Sequence, residues 1–166
     1  MFPLEFLAAV VAFLARDTGA AAALGLFTTS WLALGAVDIV APQDQTSPAL
    51  DCYLGAFACA LVPLIIVAFL GKRLLGIALT VSAARAALAA AAEFGAPQAV
   101  QLASGWVALA LFALALYAGT AFLVGDVRQR TTLPVFRRAS ARKALEGDLS
   151  VQSARLPHEA GVRNQL

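Results

Sequence analysis

Charge is what this chain has least of. Asp, Glu, Lys and Arg make up 13% of its 166 residues, about half the share of an ordinary soluble domain. Histidine occurs once, at His158, and cysteine twice, at Cys52 and Cys59. So few titratable groups exclude a disulfide scaffold. No nucleophile stands with a base, no metal-ligand spacing occurs and no phosphate-binding loop is present. An enzyme is therefore not expected, and neither is a bound cofactor or metal. What replaces charge is apolar surface, at 61% of residues with a mean hydropathy of +0.81. That composition excludes a disordered chain and points to an all-α, polytopic integral membrane helix bundle.

The charges that exist are segregated. Residues 1–125 carry the bases Arg16, Lys72, Arg73 and Arg85 and the acids Glu5, Asp17, Asp38, Asp44, Asp51 and Glu93; the other eight bases and four acids lie in 126–166. The chain therefore divides into a transmembrane domain over 1–125 and a basic, cytoplasmic, largely disordered tail over 126–166. The net charge of +2 hides this split and is no sign of a nucleic-acid partner. The bases from Arg128 to Lys143 suit anionic lipid instead. A short surface helix is conceivable over 139–149.

Charge-free runs define the spans. Residues 18–37 and 52–71 are each 20 residues without a charge, the length a helix needs to cross a hydrocarbon core of about 30 Å. Residues 74–92 form a third run broken only by Arg85, and 98–125 a fourth, 28 residues long. A shorter apolar helix over 2–15 reaches only about 21 Å. It has Glu5 where a signal peptide has bases, so it reads as the second half of a spanning helix that begins upstream. Arg16-Asp17-Thr18-Gly19, the Pro- and Asp-bearing stretch 38–51, Gly71-Lys72-Arg73 and residues 93–98 supply the turns. The 38–51 loop is acidic, whereas the Lys72-Arg73 turn and the tail are basic. Basic loops stay inside, which places the turns at 16–19 and 71–73 and the C-terminus in the cytoplasm. One helix ahead of residue 2 would return the N-terminus to that side as well. The two cysteines, seven apart on one helix, lie about 10 Å apart along its axis, too far for a bridge. They read as small packing residues.

Within the spans a few residues stand out. Arg85 is an intramembrane charge, a candidate anion contact or a snorkelling side chain. Thr28, Thr29 and Ser30 lie at the centre of the 18–37 span, Thr80 and Ser82 in 74–92, and Ser104, Tyr117 and Thr120 in 98–125. Each hydroxyl can bond its own helix backbone; together they could line a path for a small polar solute. Phe27 and Trp31 flank the first group, Trp106 suits an interface anchor, and Pro63 interrupts 52–71. Alanine crowds 83–92 and permits close backbone approach, which serves either packing or a narrow path.

Residues 16–35, RDTGAAAALGLFTTSWLALG, resemble the turn and following helix of the acetate uptake transporters, the succinate–acetate permeases. Residues 104–134 resemble that family's last helix, through Gly105-Trp106, Ala115-Leu116-Tyr117 and Arg130-Thr131-Thr132-Leu133-Pro134. The resemblance covers about residues 3–138. It implies a six-helix membrane fold with both termini cytoplasmic, in which residues 2–15 correspond to the end of the second helix. The first helix, with its Asn-Pro-Ala-Pro-Leu-Gly-Leu signature, has no counterpart here, and a start site placed too far downstream or a degenerate homologue would account for that. The resemblance further implies proton-coupled uptake of acetate, related monocarboxylates and possibly succinate across the plasma membrane by a hexameric homo-oligomer. Carried over, Phe27 falls at a pore aromatic, Ser82 where the family has a bulky apolar pore residue, and Ala115 at a position that influences substrate size; Arg85 is outside the family pattern. The substrate path expected is thus Phe27, Thr28, Ser82, Arg85, Ala115 and Tyr117. The alternatives are an orphan membrane protein that only packs against partners, or a channel for another small solute.

Overall fold

The computed structural model describes residues 2–40, 48–128 and 131–138. These residues form five α-helices, α1 (Phe2–Leu14), α2 (Thr18–Val40), α3 (Pro48–Gly71), α4 (Arg73–Glu93) and α5 (Gln98–Arg128). Among the described residues there is no strand, and the sole extended pairing is an isolated antiparallel bridge between Lys72 and Arg137. The described residues are therefore all-helical as expected, with four helices, α2 to α5, long and apolar enough to cross a membrane.

The helices overrun the charge-free runs. α2 continues through Asp38 to Val40, α3 begins at Pro48, and α5 extends past Asp126 to Arg128. A spanning helix does not stop at the hydrocarbon boundary, because its backbone hydrogen bonds remain favourable in the interfacial region. Pro48 suits the first helical position, where a backbone N–H would have no intrahelical partner. The expected 38–51 loop shrinks accordingly, and its centre, 41–47, lies outside the described residues. So do the proposed surface helix over 139–149 and the rest of the tail beyond 138.

The turns are tight and have clear causes. α1 ends in a Schellman motif: Arg16 N–H donates to the Phe13 carbonyl at 3.0 Å and Asp17 N–H to Ala12 at 2.9 Å, with Arg16 at φ 58°. α4 ends the same way, through Gly95 N–H to Ala92 and Ala96 N–H to Ala91, and there the left-handed residue is Gly95 at φ 88°. Glycine adopts that φ without steric penalty, whereas Arg16 adopts it at some cost. Between α3 and α4 a single residue, Lys72, makes the turn. A turn that short forces an antiparallel pair, and α3 against α4 is the most extensive helix contact. α1 packs on α2 and α5 on α4, while α2 meets α3 over a much smaller area. Gly76 allows the α3–α4 approach: a Cβ there would stand 3.1 Å from the Phe69 ring.

Two apolar clusters hold the helices together. The larger joins Ala23 of α2, Phe57, Ala58, Leu61 and Ala68 of α3, and Leu79 and Ala86 of α4. The smaller joins Leu74 of α4, Ala121 of α5 and Val135 from the segment beyond it. Outside these clusters many of the large apolar side chains are exposed. Within the most apolar stretch of each span, a third of α4 is buried in the protein but only 6% of α5. Leu70, Trp106 and Leu123 are each 70% exposed or more. An exposed apolar surface that continuous is far beyond the patch a soluble monomer carries, and lipid is the solvent it fits. Cys52 and Cys59 are both free and exposed, not packing residues as expected, because each lies on the outward side of α3.

Residues 131–138 depart from the expected loose tail. They cross the end of the bundle as a strap. Val135 is buried against Leu74 and Ala121, Tyr117 Oη donates to the Pro134 carbonyl at 2.9 Å, and Arg138 N–H donates to the Gly71 carbonyl at 2.8 Å. The Arg137 guanidinium lies 5.5 Å from the centre of the Phe122 ring, within cation–π range.

Candidate functional site

The expected path residues fall into three environments. Phe27 lies where α2, α3 and α4 meet, while Thr28 and Ser82 are buried on α2 and α4. Phe27 packs on the larger apolar cluster, and its ring meets Phe57 edge to face with centroids 5.4 Å apart, a preferred aromatic geometry. Thr28 is 3% exposed and Ser82 7%. Ser82 sits three residues after Leu79 and four before Ala86, so it shares their buried face. Tyr117 belongs to the smaller cluster at the strap. Arg85 and Ala115 are exposed, on α4 and α5 respectively.

Hydrogen bonding decides what the hydroxyls can do. Thr28 Oγ1 donates to the Leu24 carbonyl at 2.7 Å, Thr29 to Leu26 at 2.9 Å, Thr80 to Gly76 at 2.8 Å, Ser82 to Ala78 at 2.9 Å and Thr120 to Leu116 at 2.8 Å. Each hydroxyl has one proton to donate. In this arrangement that proton goes to the helix backbone, as lipid-embedded Ser and Thr do when no better partner is near. Ser104 Oγ reaches across from α5 toward the Arg85 carbonyl at 3.5 Å, the limit of a hydrogen bond. Among the described residues no carboxylate reaches the Arg85 guanidinium; the head of this long side chain lies at the protein surface, open to whatever surrounds it.

A second site lies at the end of the bundle that holds the α1–α2 and α3–α4 turns. Asp17 caps α2, accepting the Ala20 N–H at 3.1 Å through Oδ1. Its Oδ2 pairs with Lys72 Nζ, a contact that bridges 55 residues of sequence. Burial is the largest single influence on Asp17 and pushes its carboxyl up. The Lys72 hydrogen bond, the Ala20 N–H and the charges of Lys72 and Arg137 together outweigh burial and hold it below the usual carboxylate range. Burial likewise pulls Arg137 below its ordinary value, against the opposing charge of Asp17. The three side chains form one electrostatic unit of two cations and one anion. Beside it, a cleft of about 270 Å³ opens between the start of α2 and the end of α3, walled by Leu64, Val67, Leu70 and Leu75, with Asp17, Gly19 and Lys72 at its head.

Comparison of the sequence with protein-family models gives no match, and comparison with curated proteins gives none either.

The Asp17–Lys72 pair was not among the expected site residues, although a signal for it exists in the sequence. Span parity puts the turns at 16–19 and 71–73 on the same side of the membrane, and each offers a charge opposite to one in the other. Nothing in the sequence gives the side-by-side placement of α2 and α3 that closes the pair.

Proposed function

We propose that this chain is a membrane transporter for acetate and related short-chain monocarboxylates. The observation that carries the reading is the position of Phe27. It lies at the junction of three spanning helices, where the resemblance to the acetate uptake transporters calls for a pore aromatic. A carboxylate is excluded by lipid, so a path must supply polar partners for one end and small aliphatic walls for the methyl group. Thr28 and Ser82 are buried on α2 and α4, and in this reading their hydroxyls supply the polar partners and the small side chains of α4 the aliphatic wall. For solute to bind, these hydroxyls must rotate away from their own helix carbonyls. In this reading Ala115, exposed on α5, joins the path only when α5 is covered. A neighbouring protomer of a homo-oligomer, hexameric by the same resemblance, would cover it. Proton coupling, plasma-membrane residence and a cytoplasmic C-terminus complete the proposal.

A packing-only membrane protein is the second reading. The specific observation in its favour is that Thr28 and Ser82 already spend their protons on Leu24 and Ala78. Uptake of labelled acetate by cells expressing the chain separates the two. Expression should raise uptake above the vector control, and unlabelled acetate should compete. An Ala115→Phe variant should exclude succinate before it slows acetate, since one methylene too many in a tight site costs about 1–3 kcal/mol. Unchanged uptake on expression would leave the packing reading standing.

A further inference from the structure

We propose that Glu5 of one copy of this chain pairs with Arg85 of the next, inside the membrane, and that this contact joins α1 of one protomer to α4 of its neighbour.

Depth singles out the two residues. The Asp17–Lys72 pair marks one end of the bundle. Asp38, Asp51 and Glu93 each stand 21 residues along their helices from Asp17 or Lys72, about 31 Å at the rise of a helix, which is the thickness of a hydrocarbon core. The charges of α2 and α3 therefore lie at the two edges of that core. Glu5 and Arg85 do not. Glu5 precedes Asp17 by 12 residues and Arg85 follows Lys72 by 13, so both lie about 18 to 20 Å from the paired end. They are opposite charges at one intermediate depth.

Neither is served within its own chain. Among the described residues the Arg85 guanidinium has no ion pair, and the side chain is exposed on α4. Glu5 is half-buried on the side of α1 that also carries Phe2, Ala9 and Ala12, and its Oε2 is buried without a hydrogen-bond partner. α1 packs on α2, which carries no charge between residues 18 and 37. α4 packs on α3 and α5, with no extensive contact between α1 and α4. The two charges thus stand on separate flanks of one protomer.

A second copy supplies what each lacks. Copies inserted in one orientation hold both groups at the same depth, so lateral approach brings them level. A lone charge at such a depth is expensive, and pairing removes that cost from both. Lipid phosphate stays in the headgroup layer and offers Glu5 nothing. Beside Arg85 the exposed residues are the small Ala84 and Ala87, which let another helix come close; beside Glu5 they are the large Leu4 and Phe6. Each copy offers one half of the contact on each flank, so the contact is head-to-tail and closes into a ring where the rotation allows. This deepens the homo-oligomeric part of the reading above and rests on it, but not on which solute passes.

Full chains labelled at the C-terminus with donor or acceptor fluorophores, in phosphatidylcholine vesicles, report association by energy transfer as the protein is diluted with lipid. The unmodified protein should associate. Glu5→Arg alone and Arg85→Glu alone should each weaken association by about thirtyfold or more, as unpairing a desolvated charge does. An equimolar mixture of the two variants should recover it, because every contact between unlike variants again joins opposite charges. Only a contact between copies is repaired by mixing. If either reversal fails to insert, Glu5→Gln, Arg85→Gln and the double variant decide: each single variant should weaken association and the double no further than one of them. Additive losses, or a mixture no better than its components, would overturn the proposal. Association that ignores every substitution would overturn the pairing, leave assembly standing and assign Arg85 to lipid phosphate. Unmodified protein that stays monomeric at every dilution would overturn the pairing and the homo-oligomer together, whatever acetate uptake shows.

Discussion

Removing the charge of Asp17 while keeping its cap tests how the basic end is held. Asp17 does two things at once. Its Oδ1 caps α2 through the Ala20 N–H, and its Oδ2 ties α2 to the α3–α4 turn through Lys72. Asn caps a helix as well as Asp does but carries no charge, whereas Ala does neither. The cap is worth about 1 kcal/mol. The ion pair sits at the upper end of what an exposed pair contributes, about 1 kcal/mol, because its side chains are 32% and 25% exposed and partly screened by solvent. Asp17→Asn should therefore lower stability by about 1 kcal/mol and Asp17→Ala by about 2 kcal/mol, the latter roughly a thirtyfold change in the folding equilibrium. Thermal unfolding of the purified protein in detergent, followed by tryptophan fluorescence, measures both. The pH dependence gives an independent check. The folded-state value of the Asp17 carboxyl lies below its ordinary 3.8. The pair's contribution is thus fully present above that ordinary value and is lost as pH falls through the folded-state value. The unmodified protein and Asp17→Asn should converge in that acid window and differ at neutral pH. Equal stability of the Asn and Ala variants, or a gap between the unmodified protein and Asn that acid does not close, would refute this account.

Three further outcomes follow from the same arrangement. Tyr117→Phe deletes the bond to the Pro134 carbonyl and should destabilise the strap by about 1 kcal/mol, seen as faster hydrogen exchange at the Arg138 amide while the α3–α4 amides keep their protection. Thr28→Val removes a hydroxyl bonded only within its own helix; unfolding should shift by less than about 1 kcal/mol, whereas acetate uptake should fall if the transport reading holds. A reporter fused after residue 138 should be active only in the cytoplasm and one inserted at Gln45 only outside, and the reverse result would invert the orientation read from the loop charges.

How much was legible in advance differs from one feature to another. The spans were readable because an unpaired charge in hydrocarbon is expensive, so the positions of Asp17, Asp38, Asp51 and Lys72 bracket α2 and α3 almost by themselves. The one-residue turn at Lys72 and the antiparallel α3–α4 pair follow from the same spacing. The helix ends were less legible. Asp38 and Asp126 read as boundaries, yet α2 and α5 run past both, since charged residues are accommodated in the interfacial layer. The strap is not legible because 131–138 has the composition of a basic tail, and its order rests on contacts with other elements, Val135 against Leu74 and Ala121, the Tyr117 hydroxyl on the Pro134 carbonyl and Arg137 over the Phe122 ring.

Which face of each helix packs is where the sequence runs out. A helix in water announces its core face through a polar opposite face. In α2, α4 and α5 apolar residues surround the whole circumference, because lipid accepts them as readily as protein does. Nothing in the order of residues then distinguishes Ser82, buried on α4, from Ala115, exposed on α5. The sequence by itself determined which stretches are long and apolar enough to cross a membrane, where they fall and which ends carry charge. Only the tertiary structure decided that Phe27 meets Phe57, that Asp17 meets Lys72, and that α2 and α3 part to leave a groove. Those outcomes depend on close packing between helices whose small residues allow many approaches, and such packing is settled by the sum of van der Waals contacts over whole faces, with no local pattern to record it.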